Sequence, residues 1–142
     1  MYTVKQLLDA KPRDVVTIAP DASVFEALEL MAEKDIGAVV VVHDDRVVGI
    51  LSERDYARKV ILHNKASKDI TVDEIMTDRV LYVGPRHTVD ECMALMTDKR
   101  IRHLPVMDGD RLVGVLSIGD LVKATISEQD FTIRQLERYI MS

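Results

Sequence analysis

"PDASVFEALELMAEKDIGAVVVVHDDRVVGILSERDYAR", running from Pro20 to Arg58, lies without a gap on "PRHTVDECMALMTDKRIRHLPVMDGDRLVGVLSIGDLVK", running from Pro85 to Lys123. Identical pairs include Pro20/Pro85, Val24/Val89, Met31/Met96, Gly49/Gly114, Ser52/Ser117 and Asp55/Asp120. Two copies of so long a unit do not make a solenoid, which stacks several short repeats in series. They predict two half-domains related by pseudo-twofold symmetry, with a cleft between the halves as the natural place for a ligand.

Each copy carries the same local signals. Thr3…Gln6 and Thr71…Glu74 read as capping boxes opening a short helix; Ser23…Glu26 and Thr88…Glu91 open a second. The second helix then shows apolar residues at helical spacing: Val24, Ala27, Leu28 and Met31 in the first copy, and Val89, Cys92, Met93 and Met96 in the second. The β-rich stretches Val15–Ile18 and Val80–Val83 lie between these helices. Next come two apolar runs around a polar turn, His43–Arg46 or Asp108–Arg111, the pattern of a β-hairpin. The unbroken run Val39–Val42 predicts a strand covered on both faces. A last helix starts at Ser52 or Ser117. Beyond Lys123, Ile133, Leu136 and Ile140 mark an amphipathic tail helix whose apolar side must dock somewhere.

Composition narrows the function classes. The 142 residues are 47 % hydrophobic, 30 % charged and 4 % aromatic without Trp, so aliphatic side chains and methionine must fill the core. A net charge of −5 argues against a nucleic-acid partner, which needs a basic stripe to neutralise phosphates. The single cysteine excludes an internal disulfide and suits a reducing compartment. No apolar run reaches membrane-spanning length, and Met1–Ala10 has no signal- or transit-peptide character. These features predict a cytoplasmic protein without a membrane partner.

Chemistry concentrates in Gly49-Ile50-Leu51-Ser52-Glu53-Arg54-Asp55 and Gly114-Val115-Leu116-Ser117-Ile118-Gly119-Asp120. Both read glycine, two apolar residues, serine, two variable residues, aspartate. Glycine lets the strand approach other backbone closely. Serine stands where strand becomes helix, and a helix N-terminus suits a phosphate. The aspartate carboxylate can accept from two neighbouring hydroxyls, such as those of a ribose. The bland reading is a helix cap worth about 1 kcal/mol.

The hairpin followed by Gly-h-h-Ser-x-x-Asp, the "IRHLPV" before the second hairpin and the "VDEIMT" opening the second copy together resemble a tandem pair of CBS domains, the Bateman module. The resemblance covers about Thr3 to Lys123. It implies an α+β fold: two tandem motifs, each with a small, mostly three-stranded sheet and packed helices. The motifs would span 3–62 and 71–124, with a connection at 63–70 and a C-terminal helix at 125–142. It also implies homodimers and an adenosine ligand between the motifs: AMP, ADP, ATP or NAD(H), with S-adenosylmethionine ranked behind them.

Carried over by motif, Asp55 and Asp120 would hold ribose hydroxyls, and Ser52 and Ser117 would stand near phosphates. Backbone around Thr17, Ile18 and Ala19, and around Tyr82, Val83 and Gly84, would read the adenine edge. Arg102 and His103 fall where the family often places phosphate-binding basic residues, Pro105 is a further nucleotide-binding candidate, and Arg54 and Arg58 are further phosphate candidates. The copies differ, with Gly37 and Ala38 standing against Arg102 and His103, which predicts two non-equivalent sites.

No residue is assigned a catalytic or metal-binding role. His43, His63, His87 and His103 lack metal-ligand spacing, and Cys92 falls on an apolar helix face. The reading is a non-catalytic sensor of energy or redox state acting on an unidentified protein target. The alternative is an oligomerisation module with vestigial pockets. An enzyme would need an activated nucleophile or metal cluster, which the motifs do not supply.

Overall fold

The computed structural model describes residues 2–10 and 15–141. The chain divides into two compact units, Val15–Leu81 and the combination of Met1–Asp14 with Tyr82–Ser142. Chain order is α1 (Val4–Ala10), β1 (Thr17–Ile18), α2 (Val24–Lys34), β2 (Ala38–His43), β3 (Arg46–Ser52) and α3 (Glu53–Tyr56), which continues as a π-helical turn over Ala57–Ile61. There follow α4 (Val72–Ile75), α5 (Val89–Lys99), β4 (His103–Asp108), β5 (Arg111–Ser117) and α6 (Ile118–Met141).

The helices start where hydroxyl and carboxyl spacing places them. Thr88 Oγ1 accepts from the Glu91 N–H at 3.1 Å, while Glu91 Oε1 accepts from the Thr88 N–H at 3.3 Å. Ser23 Oγ accepts from the Glu26 N–H at 3.1 Å, and Thr71 is boxed with Glu74 in the same manner as Thr88. Such a cap satisfies donors that have no partner inside the helix. Both α2 and α5 stop at a left-handed residue, Asp35 (φ 53°) and Arg100 (φ 55°). The next N–H, of Ile36 or Ile101, returns to the carbonyl of Met31 or Met96, closing the helix as a Schellman turn.

In the unit Val15–Leu81, β1 runs parallel to β2, and β2 runs antiparallel to β3. The β2–β3 hairpin turns on two residues, Asp44 and Asp45, both with positive φ. That sense of turn matches the strand twist. Its partner hairpin β4–β5 turns at Gly109 (φ 61°). Each hairpin carries a bulge at the same place, between Val41 and Val42 and between Val106 and Met107. The run Ala38–Val41 is buried throughout, as its unbroken apolar character requires.

The expected β-stretch at Val80–Val83 shrinks to one bridge, Val83 with Val106. Val83 donates to the Pro105 carbonyl at 3.1 Å and accepts from the Met107 N–H at 2.9 Å. Continuing this parallel ladder toward its N-terminal end requires an N–H on residue 105, and proline has none. Val40 holds the equivalent place in β2 and does have the donor, so β1 reaches two paired residues: Thr17 with Val40 and Ile18 with Val41.

Each unit has its own core. Val24, Ala27 and Met31 from α2 bury against Val39, Val41 and Leu51, together with Val72 and Ile75 of α4. Val89, Cys92 and Met96 from α5 bury against Leu104, Val106, Leu116 and Leu121, together with Val4 of α1. The opening helix of each sequence repeat therefore packs with the body of the other repeat. Val4 donates to the His87 carbonyl at 2.8 Å and Val89 to the Tyr2 carbonyl at 2.9 Å, while Val72 donates to the Ala22 carbonyl at 2.8 Å. The compact units thus cross the boundaries drawn from the repeats.

Each glycine before the serine faces this exchanged segment. A Cβ on Gly114 would lie 2.6 Å from Leu8 Cδ2, and one on Gly49 would run into Met76 Sδ and come within 3.0 Å of the Thr77 carbonyl oxygen. At the chain's end, a short helix and a separate tail helix are replaced by one, the 24-residue α6. Neither Gly nor Pro interrupts Leu121–Met141, so nothing breaks the helix between the two segments. Ser142 lies outside the described residues.

Candidate functional site

Both strand-to-helix corners are built alike. At the first, Ser52 Oγ accepts from the Asp55 N–H at 3.1 Å, and Asp55 Oδ2 accepts from the Ser52 N–H at 3.0 Å and the Ser52 hydroxyl at 3.1 Å. At the second, Ser117 Oγ accepts from the Asp120 N–H at 3.2 Å, and Asp120 Oδ2 accepts from the Ser117 N–H at 2.9 Å. A further bond closes each corner: the Glu53 N–H donates to the Gly37 carbonyl at 3.0 Å and the Ile118 N–H to the Arg102 carbonyl at 2.9 Å. Two donors of each helix's first turn are thus spent inside the corner. A phosphate there would find fewer amides than a bare helix N-terminus offers.

The cap and ligand readings are compatible, because the cap needs only one carboxylate oxygen. With Oδ2 tied to Ser52, Asp55 presents Oδ1 to donors from outside the corner. Lys59 Nζ lies 3.3 Å from that oxygen and Thr77 Oγ1 3.5 Å, and the carboxylate is 16 % exposed. The ammonium also donates to the Ile75 carbonyl at 2.8 Å. Sequence reading missed Lys59 and Thr77. Lys59 stands four residues after Asp55, a spacing that puts it beside the carboxylate. Thr77 is 22 residues away and comes in because Ile50 and Thr77 exchange backbone hydrogen bonds at 3.0 and 2.9 Å.

The other candidates fall into two sets, each described within its own unit. In the unit that holds Asp55, Thr17 is exposed and Ile18 half-buried on edge strand β1, Ala19 just after it is exposed, and Arg54 and Arg58 are exposed. Arg58 lies on the π-helical turn Ala57–Ile61. Around Asp120, His103 is half-buried and pairs directly with Ser117 across β4–β5, while Pro105 is buried two residues on. Arg102 gives its carbonyl to the corner and keeps an exposed side chain.

Both backbone groups of Val83 are used by β4, and the Gly84 N–H goes to His87 Nδ1 at 2.9 Å. Peptide groups alternate in direction along a strand, so Tyr82 is the neighbour whose groups turn away from β4. A hollow of about 270 Å³ lined by Leu28, Met31, Ala32, Asp35, Ile36, Gly37 and Glu53 adjoins the first corner through Glu53, and no candidate residue lines it.

Of the remaining reactive groups, Cys92 is fully buried on α5. Burial first, and then the neighbouring Glu91 charge, push its thiol up to about 11, leaving it neutral near pH 7. Among the described residues no cluster of three or more His, Cys, Asp or Glu stands where it could hold a metal ion. No helix among them is long and apolar enough to cross a membrane.

The family model of the CBS domain matches twice, over residues 4–62 and 72–127. The chain belongs to the CBS-domain family. A CBS-domain protein from Burkholderia ambifaria MC40-6 has a solved structure that superposes with a TM-score of 0.87 at 54 % identity, covering 90 % of this chain and 96 % of that one. The mitochondrial CBS domain-containing protein CBSX3 of Arabidopsis thaliana is 39 % identical over 125 residues, 84 % of this chain and 61 % of CBSX3. The CBS domain pair of protein MJ0100, solved in complex with 5′-methylthioadenosine and S-adenosylmethionine, superposes with a TM-score of 0.80 at 26 % identity. It covers 90 % of this chain and 98 % of its own. This chain spans less than two thirds of the first curated relatives that it matches. The two CBS matches each contain one Ser–Asp corner.

Proposed function

We propose that this CBS pair is a non-catalytic regulatory module that binds an adenosine ligand at its Ser–Asp corners: AMP, ADP, ATP or NAD(H), and less favourably S-adenosylmethionine. The observation that carries this reading is the cap geometry, in which each aspartate is fixed through Oδ2 by its own serine. A carboxylate held in this way is preorganised, so a hydroxyl pair that reaches it does not have to order a mobile side chain. The complex of the MJ0100 CBS pair with two adenosine compounds supports the same ligand class.

In this reading Asp55 and Asp120 take ribose hydroxyls, and Ser52 and Ser117 set their orientation. Thr17, Ile18, Ala19, Tyr82 and Val83 flank the base, Arg54, Arg58, Arg102 and His103 surround the phosphates, and Pro105 contacts the nucleotide. The two corners are non-equivalent, since Ala38 stands where the second has His103. The ligand acts by favouring one arrangement of a homodimer, and it does so only to the extent of its differential affinity for the two states. The target is a protein in the cytoplasm. Neither nucleic acid nor membrane is a partner.

Calorimetry with AMP, ATP, NAD⁺, NADH and S-adenosylmethionine tests this on the wild type and on Asp55→Asn and Asp120→Asn. At least one ligand binds the wild type, and losing a charge-assisted hydrogen bond weakens it roughly 10- to 100-fold in one of the variants. If none of the five binds the wild type or raises its melting temperature, the proposal is wrong.

A further inference from the structure

We propose that the outer stretch of α6 is one strand of a parallel, in-register, two-stranded coiled coil whose other strand is α6 of a second copy. The helix is anchored by Leu121 and Ala124, both buried in the core that contains Val4. Beyond Ala124 a line of aliphatic side chains stands in solvent, with Ile126 53 % exposed, Ile133 52 %, Leu136 57 % and Ile140 78 %; Phe131 and Tyr139 are exposed as well, off that line.

Their spacing says what covers them. Ile126, Ile133 and Ile140 recur every seven residues, and Val122, Gln129 and Leu136 stand four positions before them in turn. A strict seven-residue repeat drifts around a straight helix and stays on one line only when two helices supercoil. A stripe made to bury on a globular core follows the 3.6 period and is wider. Isoleucine at the first heptad site with leucine at the fourth is the combination that favours two parallel strands.

Gln129 fixes the direction. In register, Gln129 meets its own copy, and each amide can both donate and accept. In the antiparallel arrangement that puts Ile126 opposite Leu136, Gln129 faces Ile133 and its amide loses that partner. The antiparallel arrangement sets Asp130 against its own copy but brings Lys123 opposite Glu137, so charge does not separate the two directions. The parallel pair has Thr125 facing Asp130 and Thr132 facing Glu137 across the seam, with no like charges opposed.

Each aliphatic seam residue removes on the order of 100 Å² of apolar surface. A copy therefore contributes about 500 Å², below the roughly 800 Å² per partner of a standard stable interface. The pairing is accordingly concentration-dependent, or is reinforced where another contact holds the two copies together.

Cysteine cross-linking of the full chain tests the seam. Leu136→Cys places a thiol in the seam and Arg138→Cys places one on the outer face. Both positions are exposed in the single chain, so neither change threatens folding. Cys92 is buried, and the wild type serves as the unlinked control. Under mild oxidation Leu136→Cys forms a disulfide-linked dimer at least 10-fold faster than Arg138→Cys, because facing seam residues in a parallel pair meet disulfide geometry. Adding Ile133→Asp and Ile140→Asp slows that linkage at least 10-fold. Equal rates for the two cysteine variants, or a rate indifferent to the aspartates, would overturn the proposal. So would a Leu136→Cys variant that stays monomeric, which is also the result if an unrelated partner or an antiparallel copy covers the stripe.

Discussion

Gly114→Ala tests whether α1 really docks on the sheet of the second repeat. The new Cβ would stand 2.6 Å from Leu8 Cδ2 and 3.3 Å from Leu8 Cδ1, against an ordinary carbon–carbon contact of about 3.5–4 Å. Leu8 must withdraw by about 1 Å, and overpacking of this kind costs roughly 1–3 kcal/mol. Loss of glycine's freedom in the unfolded chain returns about 0.5 kcal/mol. The net expectation is a loss of about 1–2 kcal/mol. For a chain of this size that lowers the melting temperature by about 3–7 °C.

Leu8→Ala alone loses a half-buried leucine and costs about 2 kcal/mol. In the double variant the added methyl occupies space that Leu8 has vacated. The combined loss should therefore fall short of the sum by about 1 kcal/mol or more. Urea melts of the four proteins at constant m-value give the coupling directly. Additivity within about 0.5 kcal/mol would mean that Leu8 and Gly114 do not touch. It would refute the exchange of opening helices between repeats.

The same comparison at the first copy predicts that Gly49→Ala is worse than Gly114→Ala, because one of its obstacles is the Thr77 carbonyl oxygen at 3.0 Å rather than only a side chain that can turn; equal midpoints in urea would contradict this. Pro105→Val supplies the missing ladder donor and should gain about 0.5–1.5 kcal/mol, with a protected amide at residue 105 in hydrogen exchange; a fast-exchanging amide there removes the explanation for the shortened strand. For Cys92 the folded-state thiol titrates near 11 and the unfolded thiol near 9, so the unfolded chain loses its proton first. Stability from this group is intact below about pH 9 and falls by roughly 2–3 kcal/mol as pH rises to 11, a decline that Cys92→Ala should remove. Native Cys92 should also resist thiol reagents at pH 8 until the protein unfolds, and reaction at the rate of a free thiol would show that it is open to solvent.

What the amino-acid sequence determined by itself is whatever acts over a few residues. The caps at Ser23, Ser52, Thr88 and Ser117 follow from a hydroxyl two or three residues before an N–H, and the hairpins follow from two-residue turns between apolar runs. The buried faces of α2 and α5 follow from helical spacing, and duplication doubles each signal. The serine–aspartate corners were readable for the same reason, a hydroxyl and a carboxylate three residues apart. The strand lost at Val80–Tyr82 is different, because its cause is Pro105 on β4, more than twenty residues away.

Tertiary structure decided what depends on residues far apart in the chain. No periodicity places Leu8 against Gly114 or Thr77 beside Asp55, because these contacts arise only after sheets and helices have packed. The π-helical turn at Ala57–Ile61 and the solvent exposure of the α6 stripe are likewise outcomes of packing. Short-range hydrogen bonds leave a spacing in the sequence, whereas long-range burial is a choice among many apolar surfaces, and only the folded chain makes it.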